Sequence, residues 1–490
     1  MQASSPSSIA RPRRSGGPLG ELWIYAGLCV FFAFIFWQYV AKVRGSDRPD
    51  TQSAILRWTP VVRQIPEVNI WKTTNWPNSP IMAMILKPFL DVDPPLLGSQ
   101  YWLLAKMAMT LFSVWLVFRM LDRPETPFPL WGKALAVVLT LRPIEGDLVH
   151  GNVNLFILLT VASCLYAYRR GWDVTAGLAL ALGIACKITP ALFLPYFVWK
   201  GSWKMLAAST MGLVLYLLVI PGLYFGWQQN LDNLAGWYDG MIRPFVEKYE
   251  VTSEHPNQSL PGLLERTLRH RPSSTVWDET KQVFEPTEYH NFVDLPRPVV
   301  SAISKGALLL FMLATILWMH RSKLDRADWR WGAEFAVIVL GMLLFSERTW
   351  KHHAVTLLVP FAVLCHQVSG FRLTPASRRI CFGVLGTVAM LMLMTSSNSG
   401  KEGVHDSFGR LALVYGAYTW SFLILMATMF WLSGTRCAVP NAAAVGDDDW
   451  TARLDSVKNE PPYRKRGGDG RTEEVAGTGP HVAAVARRPG

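Results

Sequence analysis

Two clusters of polar residues in this apolar chain have the side chains needed for acid–base chemistry and anion binding. The first lies between residues 44 and 80 and contains Asp47, Asp50, Arg57 and several tryptophans. The second, Ser346-Glu-Arg-Thr-Trp-Lys-His-His353, places two cations and a histidine pair within eight residues. A carboxylate can take a proton from a hydroxyl group, while Lys, Arg or His can stabilise a departing anion. Because both clusters adjoin long apolar runs, they favour binding of a charged lipid head group and a sugar at a membrane boundary.

Lys187 is a third candidate, because it lies between two short apolar runs that each resemble a helix. A lysine at membrane depth is costly unless its ammonium group reaches water or meets an anion. We therefore expect Lys187 to bind a lipid phosphate. In the same segment, Thr189 suits the N-cap of the following helix and Pro190 suits its first turn.

Several candidates also have an ordinary structural explanation. Asp50 would be favourable at the start of an amphipathic helix predicted from Ala54 onwards. Asn152, in His150-Gly-Asn-Val-Asn154, could cap the helix that follows, and so could Ser259, in Asn257-Gln-Ser259. From the residues alone, the capping and functional interpretations both remain open.

The elements that must position these residues are long apolar helices. Half of the 490 residues are apolar, and seven runs approach the roughly 20 residues that cross about 30 Å of hydrocarbon. The seven are 19–41, 99–121, 203–227, 298–320, 353–369, 380–397 and 411–433. Shorter runs are 129–141, 152–168, 175–186, 190–199 and 331–345, and 81–90 suits only a re-entrant or interfacial helix. The pattern predicts an all-α polytopic integral membrane protein with about 12 crossings.

The charge distribution predicts the orientation of these helices. A net charge of +12 would suggest nucleic acid as the partner of a soluble chain, but here the basic residues recur at every second boundary between apolar runs. This positive-inside pattern predicts cytoplasmic termini and extracytoplasmic loops at 42–98 and 227–297. Membrane lipids, and not nucleic acid, are the expected partners. Between Lys42 and Asn78, six Lys or Arg accompany only three Asp or Glu, an unexpected excess outside that would suit an anion.

The chain divides into three predicted regions. Residues 1–18 form a cytoplasmic tail, 19–433 form the transmembrane domain, and 434–490 form a disordered cytoplasmic tail rich in Gly, Pro, Ala and mixed charge. The six cysteines include no CxxC and none lies in the outer loops, which indicates small core residues and no disulfide or metal framework.

The order and spacing of the motifs resemble glycosyltransferase family 87, the polyprenyl-phosphate-mannose-dependent mannosyltransferases of the GT-C superfamily. The resemblance covers residues 20 to about 433. Its motifs are an acidic loop after the first span, Trp-Pro-Asn-Ser-Pro80, His-Gly-Asn-Val-Asn154-Leu, Lys187-Ile-Thr-Pro190, Asn257-Gln-Ser259-Leu and Trp350-Lys-His-His353.

The resemblance implies a GT-C-like bundle in a bacterial cell membrane, with an extracytoplasmic active site. It implies inverting transfer of a hexose, as in the family a mannose, from a polyprenyl-phosphate donor to a lipid or glycan acceptor. The family's first-loop base falls on Asp50, with Asp47 as the alternative, and its histidine falls on His352 or His353. The candidates for binding the donor phosphate or substrate are Lys187, Arg57, Asn152, Asn154, Asn257, Gln258, Arg348 and Lys351. No metal or other cofactor is required, because the donor carries no nucleotide pyrophosphate.

A polytopic transporter or lipid flippase is the competing interpretation, since it would also have many spans and a buried Lys187. Such proteins usually contain two similar halves with broken helices at matching positions, and this sequence shows no internal repeat. Trp71, Trp76 and Trp237 could stack on sugar rings, although tryptophans at a membrane boundary are more often interfacial anchors.

Overall fold

The structure is a computed structural model that describes residues 18–434 apart from 66, 75, 124–125, 279, 282, 320–325, 327, 371–372 and 397–407. The predictions for the N-terminal tail before Pro18 and for the C-terminal tail beyond Gly434 lie outside the described residues.

Helices dominate the chain. The first ten are α1 (Pro18–Arg44), α2 (Ala54–Val62), α3 (Ile70–Thr73), α4 (Pro80–Leu90), α5 (Pro95–Leu121), α6 (Leu130–His150), α7 (Asn154–Arg169), α8 (Asp173–Cys186), α9 (Phe193–Trp199) and α10 (Trp203–Leu213). They are followed by α11 (Ile220–Phe225), α12 (Trp227–Trp237), α13 (Arg243–Val246), α14 (Leu260–Leu268), α15 (Arg297–Trp318), α16 (Arg330–Leu344), α17 (Leu358–Ser369), α18 (Pro375–Met394), α19 (Phe408–Val414) and α20 (Ala417–Ser433). Short 3₁₀ turns occupy Pro49–Thr51, Thr189–Leu192 and Lys351–Leu357, and π-helical segments occupy Val214–Val219 and Tyr238–Ile242.

One antiparallel hairpin, β1 (Pro272–Asp278) with β2 (Val283–Tyr289), interrupts the otherwise helical chain inside the predicted outer loop 227–297. Thr275, Val276 and Trp277 pair with Pro286, Glu285 and Phe284. Such β-branched and aromatic residues favour a strand. The prediction of a helical membrane bundle is confirmed, and the hairpin is the exception that the helical interpretation missed.

Fewer helices than expected pass a length and composition test for crossing a membrane in the part of the chain that the structure describes. Among the described residues, five helices are long and apolar enough to cross, namely Gly20–Arg44, Pro95–Leu121, Trp203–Phe225, Arg297–Trp318 and Pro375–Met394. The pair Phe408–Val414 and Ala417–Ser433, bent by 55°, would make a sixth. The estimate of about 12 crossings is therefore not confirmed. Several predicted runs form shorter helices, such as α17, which has only 12 residues because its first part is a 3₁₀ turn.

The core of the bundle is formed by α16 and α17, in which every residue except Arg330 is buried. A helix that is apolar all round belongs at such a position. The helix α1 lies at the edge instead: Phe32, Ile35 and Tyr39 are buried, while Phe34 and Trp37 are exposed. An exposed apolar face of this kind suits contact with lipid.

Candidate active site

The segments that were predicted to lie outside meet at one end of the bundle, which we call the site end. It contains the end of α6, the start of α7, the turn after α8, the stretch before α14 and the segment between α16 and α17. Hydrogen bonds join these segments directly: Asn152 to His352, Lys187 to Asn154, and Asn257 to the Glu347 carbonyl.

Gly151 joins the first loop to this end. The residue follows α6 with φ of 74°, a left-handed conformation that favours glycine. A Cβ atom at this position would lie 3.2 Å from the Ser53 Cβ and the Ile55 side chain, so the loop before α2 packs closely against it. Trp102 donates its ring N–H to the Gly151 carbonyl at 3.1 Å. Backbone geometry and close packing therefore both require glycine here.

A buried ion pair that the sequence analysis missed lies one turn before this glycine. The Lys106 ammonium group is 2.9 Å from an Asp147 carboxylate oxygen, and both side chains are fully buried. Lys106 also donates to the Asp147 backbone carbonyl. The same carboxylate accepts from the Asn154 amide at 2.8 Å and from the Leu155 backbone N–H at 3.2 Å. Asp147 thus connects α5, α6 and the start of α7.

Lys187 is held by this group of residues through Asn154. Its ammonium group donates to the Asn154 side-chain oxygen at 2.7 Å. Burial lowers the pKa of Lys187 to about 8, while the negative charges of Asp147 and Glu347 oppose this shift. Lys187 therefore still carries its charge at pH 7, as a phosphate ligand would need.

A small cavity of about 20 Å³, enough space for one water, opens beside Lys187. Its lining residues come from four segments and are Asn154, Ile157, Lys187, Thr189, Met342, Leu343, Ser346, Thr349, His353 and Thr356. The Thr356 hydroxyl is buried and has no hydrogen-bond partner among the described residues. An ammonium group and a free hydroxyl together offer hydrogen bonds to an anion.

The two vicinal histidines face different neighbours, and the structure distinguishes them where the sequence could not. Their rings are 4.7 Å apart at 89°. His353 lines the cavity with Lys187. His352 stacks on His150 with ring centroids 4.3 Å apart and contacts the Asn152 amide at 3.3 Å.

Both histidines are neutral at pH 7. Burial, followed by the charge of Lys187, lowers the pKa of His353 well below 6.5, and burial with neighbouring positive charge does the same for His352. His353 Nδ1 lies 3.2 Å from the Arg348 carbonyl, which can only accept a hydrogen bond. This contact assigns the proton to Nδ1 and leaves Nε2 as an acceptor. The histidines therefore supply neutral polar contacts, and Lys187 supplies the positive charge of the cavity.

Asp50 lies in the 3₁₀ turn before α2, where it is exposed. The N-cap of α2 is Ser53, so Asp50 does not cap that helix as the structural explanation proposed. Asp50 is three positions before Ser53, a reach of at most about 10 Å, which keeps the carboxylate at the site end. No cation pairs with Asp50 in the part of the chain that the structure describes. Arg57 is also exposed, and its guanidinium group donates to the Thr51 carbonyl at 3.0 Å.

The side chains of Asn257 and Gln258 form hydrogen bonds to backbone groups of other segments. The Asn257 amide donates to the Thr252 and Glu347 carbonyls at 3.0 Å and accepts from the Thr349 N–H at 2.9 Å. Gln258 donates to the Leu413 carbonyl and accepts from the Tyr418 N–H. These contacts fix the position of the segment before α17. The hydrogen bonds of both side chains are made to backbone groups of the protein.

Arg348 and Lys351 reach the site end without lining the cavity. Arg348 is exposed, with its guanidinium group 3.4 Å from Glu347 and near the Trp350 ring. The Lys351 ammonium group donates to the Thr395 carbonyl at 3.3 Å.

The capping predictions have mixed outcomes. Ser259 does cap α14, with its hydroxyl accepting from the Gly262 N–H at 3.2 Å. Thr189 is not an N-cap, because Ile188 takes that position in the 3₁₀ turn. Asn152 accepts from the Val153 N–H at 2.7 Å, but Val153 is the N-cap of α7.

The tryptophans that were considered for sugar stacking are largely buried. Trp71 and Trp237 donate their ring N–H groups to the Asn78 and Pro77 carbonyls, and Trp76 packs edge-on against Trp58. Their burial leaves little ring surface for a sugar, so they serve to fix the first loop.

Comparison with known proteins identifies the class. The sequence model of glycosyltransferase family 87 matches residues 76–347, more than half of the chain. The chain therefore belongs to glycosyltransferase family 87 and is a membrane glycosyltransferase, which argues against the transporter interpretation.

Two mycobacterial proteins are similar over much of the chain. Each is called a polyprenol-phosphate-mannose-dependent alpha-(1-2)-phosphatidylinositol mannoside mannosyltransferase. The Mycobacterium tuberculosis protein is 23% identical over 400 residues, covering 76% of this chain and 80% of its own length. The Mycolicibacterium smegmatis protein is 25% identical over 309 residues, covering 59% and 62%. Among solved structures, ArnT from Cupriavidus metallidurans bound to undecaprenyl phosphate is 11% identical with a TM-score of 0.36, over 83% of this chain and 77% of that one.

Proposed function

We propose that this glycosyltransferase transfers mannose from a polyprenyl-phosphate-mannose donor to a phosphatidylinositol mannoside or similar glycolipid, at the outer face of a bacterial cell membrane. The observation that carries the proposal is the cavity beside Lys187, in a chain whose relatives use this donor. A buried ammonium group and the free Thr356 hydroxyl suit the phosphate that joins the sugar to the lipid.

An apolar groove supplies space for the prenyl chain. It has a volume of about 450 Å³ and lies between α9, α15 and α16, with Leu192, Phe311 and Ile338 in its wall. Thr189 and Met342 line the Lys187 cavity. The groove residue Leu192 is three residues beyond Thr189, and the groove residue Ile338 is four residues before Met342. The groove and the cavity are thus about one helical turn apart. A lipid phosphate that reaches Lys187 from the mouth of the cavity would have its hydrocarbon chain in the groove.

Asp50 is the proposed general base. Its carboxylate takes the proton of the acceptor hydroxyl as that oxygen forms a bond to C1 of the sugar. The bond between C1 and the phosphate oxygen breaks on the opposite side, and Lys187 stabilises the departing phosphate. The exposed position of Asp50 supports this role, because an acceptor arriving from the water–lipid boundary would meet it first.

The proposed extracytoplasmic position follows from the basic residues at the opposite end of the bundle. Arg119, Arg169, Arg170, Lys200 and Lys204 all lie near helix ends there. The positive-inside rule assigns that end to the cytoplasm. The Lys187 cavity would then face outwards.

A transfer assay tests the proposal. Purified protein in lipid nanodiscs would receive radiolabelled polyprenyl-phosphate mannose, glucose or arabinose together with phosphatidylinositol mannosides. We expect label to move only from the mannose donor and only into the glycolipid. Release of no product from any of the three donors, or transfer confined to another sugar, would contradict it.

A further inference from the structure

We propose that Lys106 and Asp147 are positioning residues, which orient Lys187 through Asn154 and help to keep it positively charged. The inference rests on the proposed function, because it concerns the residue that binds the donor phosphate. Neither residue lines the cavity, so both would act through Asn154.

The orientation of the Lys187 ammonium group depends on the hydrogen bonds at the two ends of the Asn154 amide. Its nitrogen donates to Asp147 at 2.8 Å, and its oxygen accepts from Lys187 at 2.7 Å. A neutral acid or an amide at position 147 could donate a hydrogen bond as well as accept one, so it would no longer require this amide orientation. The Asp147 carboxylate, held by Lys106, therefore fixes the acceptor that Lys187 needs.

The positive charge of Lys187 depends on the charged groups that face it. Asp147 on α6 and Glu347 after α16 are the two negative charges that raise its pKa against burial. His352 and His353 are neutral at pH 7, and Lys106 is paired with Asp147. Removal of the Asp147 charge would leave Glu347 as the remaining negative charge among these groups, so Lys187 would lose its proton at a lower pH.

The geometry also explains why this buried pair is polar. A pair with only a packing role can often be replaced by apolar residues at little cost. Here the carboxylate accepts two hydrogen bonds, from the Asn154 amide and the Leu155 backbone N–H, in addition to its pairing with Lys106.

The test measures binding of polyprenyl phosphate, without sugar, to wild-type protein and to Asp147→Asn between pH 7 and 9.5. The lipid phosphate is already about 90% doubly ionised at pH 7 because its second pKa is about 6, so a fall in affinity above that pH reports the protein. Wild-type affinity should fall as pH rises through the Lys187 pKa of about 8. In Asp147→Asn the fall should begin about one pH unit lower, with binding about fivefold weaker at pH 8.

Glu334→Gln is the matched control, because it neutralises a buried carboxylate that pairs with a lysine at the opposite end. It should leave the pH dependence of binding unchanged. If Asp147→Asn does not fold, as judged by thermal unfolding, Asn154→Leu removes the same connection and should weaken binding similarly. An Asp147→Asn or Asn154→Leu protein that binds with wild-type affinity and pH dependence would overturn the inference. A wild-type protein that does not bind polyprenyl phosphate would instead contradict the proposed function.

Discussion

Among the described residues, two lysine–carboxylate pairs have both side chains almost completely buried, one pair at each end of the bundle, and their surroundings differ. Lys106 and Asp147 lie 2.9 Å apart at the site end. Lys200 and Glu334 lie 2.9 Å apart at the opposite end. Both pairs are therefore buried and ion-paired, and they differ only in the other contacts that their side chains make.

At the opposite end, aromatic side chains enclose the pair. The Tyr196 hydroxyl donates to Glu334 at 2.6 Å, and the Lys200 ammonium group lies 5.3 Å from the centre of the Trp331 ring. At the site end, the Asp147 carboxylate is connected through Asn154 to Lys187 and its cavity. A buried ion pair is thus evidence of function only when its hydrogen bonds lead to a candidate ligand-binding group, here the Lys187 ammonium group.

The largest effect on activity is expected at the site end, from Asp50→Asn. Loss of a general base costs about 100- to 10,000-fold in kcat. Because Asp50 is exposed and unpaired among the described residues, thermal stability and binding of polyprenyl phosphate should hardly change. Steady-state transfer kinetics and thermal unfolding measure the two effects. Asp47→Asn is the control, and a loss of kcat in that variant alone would move the base to Asp47.

The next largest effect is expected at the opposite end, on stability. Glu334→Gln leaves the Lys200 charge without its counter-charge and should cost about 3 kcal/mol. The KM for donor should remain within about twofold, a difference of only some 0.4 kcal/mol. Thermal unfolding in detergent and donor titration give the two values. A large rise in donor KM with unchanged stability would show that this pair, too, serves the site.

The sequence predicted which segments meet, because polar motifs at alternate boundaries of apolar runs must share one side of a membrane. Asn152, Asn154, Lys187 and the histidine pair are brought together accordingly. Which histidine lines the cavity depends on the 3₁₀ geometry of Lys351–Leu357, and the residue pattern did not contain that information.

Lys106 could have been found by the argument that singled out Lys187. It lies inside the apolar run 99–121, where an ionisable residue is a functional candidate. Asp147 was harder to find, because it lies beyond the end of the apolar run 129–141, in a stretch that also contains Arg142 and Glu145. Its burial depends on α6 continuing to His150 and packing beside α5, which only the tertiary structure reveals.

The assignment of Asn257 and Gln258 to the substrate shows a different limit. Their side chains make hydrogen bonds to backbone groups of separate segments. A polar side chain that binds a sugar and one that binds a distant carbonyl have the same sequence pattern.

The smallest effect is expected from the two cations at the site end that do not line the cavity. Arg348→Ala removes an exposed guanidinium group beside Glu347, and Lys351→Ala removes a single contact to the Thr395 carbonyl. Exposed ion pairs contribute about 0–1 kcal/mol, so each variant should change donor KM by less than about threefold. Lys187→Ala, measured in the same titration, should raise KM by about 10- to 100-fold because it removes a charged hydrogen bond to the phosphate. A rise of that size for Arg348→Ala would show that its side chain turns towards the donor on binding, and the phosphate site would then extend beyond the cavity.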